Sequence, residues 1–445
     1  MYDALKTVAA VVPPSLRQGR GYWQWRRFLS ESQYWPRERI EAWQLQKLRT
    51  IVRFAYENTE GYRELYRNAG VHPDNIRSLQ DIHRLPFTTK QLFQDNLEAF
   101  SVLGGSRKYG TTGGSTGIPF GFYITRRQIT IEAAFVHTDW IRAGWRLGMR
   151  TAVLRGGFVG SVENLWMYDS FRRELNLSSY QLTEQTAPRY IQALKEFNIC
   201  VLQAYPSSLS LLCDLLTEPL PLKLVLLGSE NIYDWELEKS ECLFPQTKFH
   251  GWYGHAEMAI YAPWCEHQRK YHLWPYYGLT EILRQDESTA PEGEEGELVG
   301  TSFHNFTTPL IRYRTMDRAT VGAAACTGCG RAFQLLDRIA GRSHEVIVTG
   351  TGRFISMTAI NMHDSIFDPV RQFQFLQEQP GRVIFRYVPK RPLTVMQVQS
   401  IRQGLMHKLG SDMELSLVAV DRIERTRAGK FCFLDQRLTI KHGDR

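Results

Sequence analysis

The sequence predicts an α/β protein with a large N-terminal domain and a small C-terminal α+β domain. The chain has 445 residues, too many for one ordinary core, and its 43% hydrophobic content suffices to fill two domains. In the middle of the chain, helical patterns alternate with short apolar runs, as in sheets flanked by helices. Near the end, short strands separated by helices follow one another closely. We therefore predict domains at 1–338 and 339–445, with a boundary near Asp337 to Arg342.

The first hundred residues, about 1–100, are predicted to form a helical arm of the large domain. Apolar residues recur at helical spacing between residues 37 and 70, where Gly70 ends the pattern. A further long helix is expected over residues 127–145. The helices at 37–70 are predicted to serve packing rather than chemistry.

Short apolar runs mark the predicted strands. Ile199 to Leu202 lies between helical patterns and suits a buried strand. Leu224 to Leu227 runs directly into a glycine turn, as a parallel strand does when it delivers a loop to an active-site edge. Further strands are predicted at Glu297 to Thr301, Glu345 to Val348, Val383 to Val388 and Leu415 to Val420.

The segment from Tyr109 to Tyr123, YGTTGGSTGIPFGFY, is crowded with glycine and hydroxyl residues. Glycines let the backbone approach an anion closely, and main-chain N–H groups and hydroxyls donate hydrogen bonds to phosphate oxygens. It is not a Walker A loop, because Gly117 is followed by Ile118 rather than by Lys. A glycine-rich hairpin turn between two strands is the alternative. The candidate phosphate-binding residues are Thr112, Gly113, Gly114, Ser115, Thr116 and Gly117.

Four further motifs follow in order along the chain. Tyr253-Gly254-His255-Ala256-Glu257 brings an aromatic ring, a tight turn and a carboxylate together, and a carboxylate there suits Mg²⁺ on a nucleotide. Tyr313 to Asp317 sets an acid where it can grip a ribose. Asp337 to Arg342 is typical of a hinge, and Arg425 to Lys430 places a lysine after a flexible turn. Taken singly, they also fit a surface turn, a salt-bridged Asp, a linker and a solvated basic loop.

The ordered set of motifs resembles the adenylate-forming superfamily of acyl-CoA synthetases, and within it the phenylacetate-CoA ligase and CapK-like branch. The resemblance covers nearly the whole chain, from Ile51 to Lys430. It implies an adenylate-forming N-terminal domain of β-sheets flanked by helices, with a small mobile C-terminal lid. It also implies a ligase that uses ATP to convert a carboxylic acid to an acyl adenylate with pyrophosphate release, before acyl transfer to coenzyme A or another acceptor.

The resemblance assigns roles to individual residues. The glycine loop would orient the β,γ-phosphates, and the sequence Gly228-Ser229-Glu230 would lie on the adenine side. Tyr253 to Glu257 would stack on adenine and bind Mg²⁺. Catalytic roles fall to Glu257 and to Lys430, whose ammonium group would bridge the carboxylate and the α-phosphate. The remaining ATP-binding assignments are Gly228, Ser229, Glu230, Tyr253, Gly254, His255, Ala256, Asp317 for the ribose, Arg338 and Arg342.

Several positions depart from the family pattern. Ala256 stands where a threonine or serine usually precedes the motif glutamate, and Met316 replaces the glycine of Tyr-Arg-Thr-Gly-Asp. His344 stands where a hinge aspartate is common, and Ile118 lies where a more polar loop is expected. A catalytically degenerate CapK-like scaffold is therefore a second hypothesis, and the presence of Lys430 argues against it.

Cysteine and histidine residues predict a separate metal site. Cys326-Thr327-Gly328-Cys329 is a C-x-x-C pair, and Cys265 to His272 supplies a cysteine and two histidines upstream. Four such ligands make a closed tetrahedral Zn²⁺ site, which is structural because no position is left for water. Resemblance to related ligases favours His272 over His267, so the predicted ligands are Cys265, His272, Cys326 and Cys329. Free thiols in a turn are the alternative.

The predicted acyl pocket lies near Tyr205, Pro206 and Trp252, beside the nucleotide. The aromatic residues suit an aryl acid or another compact acid, and equally suit core packing. The resemblance to CapK-like proteins adds, as an alternative, a sugar acid or an acyl group destined for a surface polysaccharide. The acceptor is left open between coenzyme A, which would give a thioester, and an amine, which would give an amide.

Composition and charge limit the setting and the partners. The seven cysteines do not resemble a disulfide framework, and no apolar run reaches the length of a membrane span, so a cytoplasmic protein is expected. The net charge of +8 suits ATP, coenzyme A, nucleic acid or anionic lipid. Arg17 to Arg27 mixes basic and aromatic residues, which fits weak peripheral membrane contact or an arm strapped over the large domain. A zinc-ribbon nucleic-acid-binding protein is the rival class of function. No basic helix supports it, so nucleic acid is not a predicted partner. Whether the protein forms a homodimer is left open.

Overall fold

The computed structural model of the chain describes most of its residues. They are residues 13, 15–111, 121–155, 158, 161, 163–179, 181–216, 218–342, 346–351, 354–356, 360, 365–424 and 432–438. The predicted phosphate-loop residues 112–117 and the predicted catalytic Lys430 therefore lie outside the described residues.

Helices dominate the first hundred residues, as predicted. They are α1 (Arg20–Ser32), α2 (Arg37–Asn58), α3 (Glu60–Asn68) and α4 (Lys90–Asn96), with short 3-10 turns at Pro73–Asn75 and Leu79–Arg84. The side chains of Thr59 and Thr89 accept hydrogen bonds from backbone N–H groups of α3 and α4, which caps their exposed donors. Leu48, Ile51 and Val52 of α2 are fully buried, so this helix contributes to the main core.

The basic and aromatic segment at the start of α1 packs on the large domain. The Oη atom of Tyr22 lies 3.0 Å from Nδ1 of His137, and the ring of Trp25 lies 5.8 Å from that of Phe135. Both partners belong to helix α5 (Arg126–Arg142). These contacts favour the arm strapped over the domain, because side chains used for packing are not available to a membrane surface. Among the described residues, no helix combines the length and the apolarity that a membrane crossing requires.

A seven-stranded sheet, in the order β4-β5-β3-β6-β7-β8-β9, organises the middle of the chain. Neighbouring strands from β5 to β8 in that order pair in parallel, and β4 and β9 are antiparallel edges. The predicted strands at 199–202 and 224–227 are confirmed as β6 and β7. The strands are β3 (Thr151–Arg155), β4 (Trp166–Asp169), β5 (Glu174–Ser178), β6 (Val201–Ala204), β7 (Leu224–Gly228), β8 (Lys248–Gly254) and β9 (Tyr261–Pro263).

Helices connect these parallel strands, as right-handed crossovers require. They are α6 (Ala187–Glu196), α7 (Pro206–Leu215) and α8 (Asp234–Leu243). Pro206 occupies the first turn of α7, where its missing N–H costs no hydrogen bond. Every residue of β7 is buried, which explains its uninterrupted apolar sequence, since a central parallel strand is covered on both faces.

A two-stranded hairpin flanks the glycine-rich segment. Strand β1 (Lys108–Thr111) pairs antiparallel with β2 (Gly121–Ile124), and the outermost pair joins Thr111 to Gly121. The predicted phosphate loop therefore connects two paired strands. The hairpin alternative is correct for the flanking strands, and it is compatible with anion binding because a hairpin connection can also present backbone N–H groups.

A five-stranded antiparallel sheet, in the order β10-β14-β13-β12-β11, follows the parallel sheet in the chain. Its strands are β10 (Tyr271–His272), β11 (Gly278–Leu283), β12 (Glu295–Ser302), β13 (Tyr313–Val321) and β14 (Leu335–Arg342). Strand β12 confirms the prediction made for residues 297–301. Strand β14 runs through the predicted domain boundary at residue 338, and that boundary stays a prediction.

The last hundred residues form strands around a separate hydrophobic cluster. The strands are β15 (Val346–Val348), β16 (Phe354–Ser356), β17 (Val370–Gln379), β18 (Arg382–Pro389), β19 (Glu414–Ala419) and β20 (Leu434–Gln436), with helix α9 (Val395–Leu409) and a 3-10 turn at Ser365–Phe367. Phe375 and Phe385 pair across β17 and β18 and are fully buried beside Ile401 and Leu405 of α9. The predicted α+β character of this segment is confirmed.

The carboxyl group of Glu132 on α5 is expected to make the free energy of unfolding depend on pH. Burial raises the pKa of its carboxyl to about 7, and the hydrogen bond donated by the Tyr277 hydroxyl opposes that rise only in part. In the unfolded chain the pKa is near 4.5, so the folded state binds the proton more tightly and loses stability as pH rises from about 4.5 through 7. Between pH 5 and 8, we expect the free energy of unfolding to change by about 1–3 kcal/mol less in Glu132→Gln than in the native protein. Urea unfolding at a series of pH values measures this difference. Parallel pH profiles for the two proteins would contradict it.

Candidate active site

Several predicted site residues meet at the carboxyl edge of the parallel sheet. Strand β6 ends before Tyr205, β7 ends at Gly228, and β8 ends at Gly254. Ligands of open parallel sheets bind beyond the carboxyl ends of the strands, because the connecting loops open there. This edge is therefore the candidate active site, and the loops after β6, β7 and β8 form its floor.

The loop Gly228-Ser229-Glu230 packs tightly on the neighbouring strand. A Cβ atom at Gly228 would lie 2.7 Å from the ring of Trp252, so this position requires glycine. Ser229 adopts a positive φ of 71°, which turns the chain sharply after the strand. The backbone N–H of Ser207 donates to Oε2 of Glu230 at 3.2 Å. The predicted adenine-side loop is thereby fixed to the start of α7.

Tyr253, His255 and Asp317 form a hydrogen-bonded cluster at the same edge. The hydroxyl of Tyr253 donates to Oδ2 of Asp317 at 2.8 Å, and Nε2 of His255 lies 3.1 Å from the same oxygen. The hydroxyl and Nε2 are also 2.5 Å apart. The side chains of His255 and Asp317 are only 6% and 8% exposed. Residues of the β8 end and of β13, far apart in the sequence, are thus joined at one carboxylate.

Glu257 follows His255 closely in the sequence and is 7% exposed. The hydroxyl of Tyr313 donates to its Oε1 at 3.2 Å, which orients the carboxylate. A carboxylate has about four acceptor positions, so one hydrogen bond leaves capacity for a cation or a donor. The donor set fits Mg²⁺, which prefers oxygen ligands and usually takes one or two protein carboxylates.

The two hinge arginines differ in position. The backbone of Arg342 pairs in register with Asp317 at the end of β14, so the strand brings this residue to the candidate site. The backbone of Arg338 pairs with Thr320, farther along β13, and the side chain of Arg338 is exposed. The ladder therefore places Arg342 opposite the predicted ribose-binding Asp317 and Arg338 farther along the same strand.

Arg155 was missed by the sequence analysis. It ends β3, the strand between β5 and β6, and its guanidinium donates to the hydroxyl of Ser229. The guanidinium carbon lies 5.2 Å from the ring centre of Tyr205 and 6.0 Å from that of Trp252. Burial lowers the pKa of Arg155, while Tyr205 and Glu230 act against that shift. The available signal was a single arginine closing the apolar run before two glycines, in TAVLRGG.

The predicted acyl-pocket residues share this neighbourhood. Tyr205 is 6% exposed, Pro206 is buried, and Trp252 is partly buried between Gly228 and the ring of Trp140. They lie at or near the ends of β6 and β8, and Trp252 also packs against the buried cluster that contains Val201 and Leu224. The rings of Tyr205 and Trp252 and the guanidinium of Arg155 therefore lie at the same part of the sheet edge.

The chain is similar to several known proteins. A profile of the CapK C-terminal domain matches residues 347–436. The chain is 27% identical to the phenylacetate-coenzyme A ligase of Thermus thermophilus over 329 residues, which cover 70% of this chain and 72% of that protein. It is 21% identical to Protein CapK of Staphylococcus aureus over 402 residues, 87% of each chain. A crystal structure of 2-hydroxyisobutyryl-CoA ligase in the postadenylation state aligns over 92% of both chains, at 19% identity, with a TM-score of 0.74.

The chain has the adenylate-forming ligase fold. The predicted resemblance to the phenylacetate-CoA ligase and CapK-like branch is confirmed by these matches, and so is the α/β fold class with a large and a small domain.

The structure shows the backbone conformation at Met316, one of the departures from the adenylate-forming pattern. Met316, which replaces the usual glycine, has a φ of 64°, in the left-handed region that glycine adopts without cost. The backbone conformation of the motif is thus retained with a residue that disfavours it. The hydroxyl of Thr315 accepts from the N–H of Asp317 at 3.1 Å and supports this turn. The departure at Ala256 is simpler, since this exposed residue offers no side-chain donor to a nucleotide.

The four predicted zinc ligands lie together in the adenylate-forming fold. Cys265, His272, Cys326 and Cys329 present ligand atoms that are all within 4.8 Å of one another. The sulfur atoms of Cys265 and Cys326 are 3.7 Å apart, and Cys329 Sγ lies 3.5 Å from Nε2 of His272. Ligands at Zn–S distances of about 2.3 Å in a tetrahedron are about 3.8 Å apart, so the donor set fits zinc.

Proposed function

We propose that this chain uses ATP to activate a carboxylic acid as an acyl adenylate, releases pyrophosphate, and transfers the acyl group to an acceptor. The observation that supports it most directly is the cluster of Tyr253, His255 and Asp317 at the carboxyl edge of the parallel sheet, together with the Glu257 carboxylate that Tyr313 orients. Relatives of the chain are named phenylacetate-CoA ligases, and a structural neighbour is named a CoA ligase. The chain is accordingly an adenylate-forming ligase in this proposal.

The first step requires two anions to meet. The acid attacks the α-phosphate of ATP through its carboxylate oxygen, and the bond between the α-phosphate and the bridging oxygen breaks as pyrophosphate leaves. Asp317 and Tyr253 would hold the nucleoside, and the loop Gly228 to Glu230 would face adenine. Lys430 would place an ammonium group between the carboxylate and the α-phosphate, where negative charge concentrates.

Glu257 would hold Mg²⁺ in the proposed reaction. The ion would offset the charge of the ATP phosphates, as cations do in phosphoryl and nucleotidyl chemistry. The hydrogen bond from Tyr313 fixes the orientation of the carboxylate before the ion binds. The glycine-rich segment 112–117 is proposed to hold the pyrophosphate that leaves.

Coenzyme A is the proposed acceptor, because the ligases similar to this chain are named for it. An amine that yields an amide is the alternative. The similarity to Protein CapK, over 87% of the chain, favours an acyl group for a surface polysaccharide as the destination. A cytoplasmic setting suits an enzyme that consumes ATP and whose described cysteines form no disulfide bond.

A screen of carboxylic acids for ATP–pyrophosphate exchange tests the proposed activation. We expect at least one class of acid to support incorporation of labelled pyrophosphate into ATP in the presence of Mg²⁺. A follow-up with coenzyme A or small amines, read by mass spectrometry, identifies the acceptor. If no acid in a broad panel stimulates exchange while ATP still binds, the degenerate scaffold replaces the ligase.

We also propose that the Cys3His cluster holds a structural zinc ion. All four ligands come from the antiparallel sheet or its loops, so the ion would tie the loop after β9 to the loop before β14. We expect one equivalent of zinc in native protein and a lower Tm for Cys326→Ser, because zinc binding at such sites contributes to folding. Elemental analysis and thermal unfolding measure both.

Cys213→Ser is the matched control for the zinc prediction. Cys213 is buried on α7 and lies outside the cluster, so its replacement should leave the zinc content unchanged. Native protein with only traces of zinc, together with normal folding of Cys326→Ser, would contradict the site.

A further inference from the structure

The guanidinium of Arg155 occupies the part of the sheet edge that the predicted acyl pocket uses. It contacts the hydroxyl of Ser229 and faces the rings of Tyr205 and Trp252 at 5.2 and 6.0 Å. The loops after β6 and β7 and the strand β8 therefore converge on one cation. A hydroxyl and two aromatic rings are neutral partners, so they leave its charge without a formal counterion.

Two other arginines with little exposed surface are each paired with a carboxylate. Arg312 donates to Glu281 at 2.8 Å, and Arg331 donates to Glu266 at 2.6 Å, with each guanidinium 5% exposed or less. In the part of the chain that the structure describes, no carboxylate lies within ion-pair distance of Arg155. The nearest acid in electrostatic terms is Glu230, whose Oε2 accepts from the N–H of Ser207. Burial also lowers the pKa of Arg155, as expected for a cation that lacks a close anion.

We propose that Arg155 binds a second anionic group on the carboxylic acid, so that the substrate is a dicarboxylic acid or another doubly anionic acid. This inference rests on the proposed adenylation function and names its substrate class. The carboxylate that is activated must stay free to attack the α-phosphate, whereas the second group can remain paired throughout. An arginine suits that role because its planar fork binds a carboxylate through two parallel hydrogen bonds.

The same geometry makes an apolar acid a poor occupant. A purely aryl or alkyl acid would cover the guanidinium without supplying an acceptor, and an unpaired buried charge is costly. Tyr205 and Trp252 would contact the carbon chain between the two acidic groups. The aromatic residues that suggested an aryl acid lie, in this arrangement, beside a cation.

Matched pairs of acids test the inference in the exchange assay. The probes are phenylacetate against 4-carboxyphenylacetate, and butyrate against glutarate. We expect the doubly anionic member to have the higher kcat/KM, and Arg155→Gln to lower that value about 10- to 100-fold, as for a lost hydrogen bond to a charged group. The same variant should change kcat/KM for the singly anionic acid by less than about threefold, and Arg155→Lys should restore part of the loss.

Two controls separate this role from others. Arg146→Gln removes an exposed arginine of the same domain and should leave both acids unaffected. If Arg155→Gln lowers the rate equally for both members of a pair, the side chain acts on the nucleotide or on the fold, and the inference is overturned. Preference of the native protein for the singly anionic acids overturns it as well.

Binding without turnover distinguishes failure of the inference from failure of the proposed function. Titration calorimetry with 4-carboxyphenylacetate or glutarate should detect binding that Arg155→Gln abolishes while Tm stays within a few degrees of the native value. Absence of exchange with every acid would defeat the proposed function alone, provided that this binding persists. Equal binding of the four acids to the native protein and to Arg155→Gln would defeat the inference alone.

Discussion

Lys430→Ala is expected to lower carboxylate-dependent ATP–pyrophosphate exchange about 10²- to 10³-fold, to the point of abolishing it in practice, with little change in ATP affinity. The ammonium group is proposed to stabilise charge that accumulates between the carboxylate and the α-phosphate only as they react. Such an interaction contributes to the transition state far more than to the bound nucleotide. Exchange kinetics and a fluorescent ATP-analogue titration measure the two quantities separately.

Arg427→Ala is the matched control for this prediction, because it removes a positive charge from the same basic segment. If net charge alone attracted ATP, both variants would weaken nucleotide binding by a similar factor. The proposed role predicts instead that Arg427→Ala retains most exchange activity. Near-native exchange by Lys430→Ala would remove that lysine from the catalytic assignment.

Glu257→Gln has the second largest expected effect, a fall of about 10²-fold in exchange at a fixed Mg²⁺ concentration. Glutamine keeps the size of the side chain and the acceptor for the Tyr313 hydroxyl, but it lacks the negative charge that a divalent cation requires. The variant should therefore recover part of its rate as Mg²⁺ is raised. The measurement is exchange rate against Mg²⁺ concentration for both proteins.

Tyr313→Phe separates charge from orientation at the same carboxylate. It removes the hydrogen bond to Oε1 and keeps the carboxyl group of Glu257, so we expect a smaller loss of exchange activity without a changed Mg²⁺ requirement. Cys242→Ser on α8 is the control for handling and oxidation, because this exposed residue lies away from the carboxylate. An unchanged rate and Mg²⁺ profile for Glu257→Gln would exclude the proposed metal role.

The parallel strands could be predicted because burial on both faces leaves a clear sequence pattern. The run from Leu224 to Gly228 is wholly apolar and ends in a glycine, so its end at an active-site edge could be predicted from local sequence alone. The zinc ligands could also be predicted, since the C-x-x-C spacing is rigidly tied to metal geometry. The selection of His272 drew on family resemblance, and the structure brings it rather than His267 to the three cysteines.

The convergence of side chains across strands could not be predicted in the same way. Arg155 carries no motif, because a single arginine at the end of an apolar strand is equally common at a solvated sheet edge. Its significance depends on the loop after β7, which reaches it from 74 positions along the chain. The shared carboxylate of Asp317 depends likewise on the packing of one sheet against another.

The register between β13 and β14 has a consequence for how the two parts of the chain are connected. Asp317 and Arg342 are directly opposite in the ladder, and the described strand ends at Arg342 before the C-terminal segment begins. The residue proposed to hold the ribose is therefore the direct pairing partner of the last residue of β14 in the five-stranded sheet. A change at the carboxylate of Asp317 is therefore adjacent, through one backbone pair, to the end of the strand that precedes the C-terminal segment.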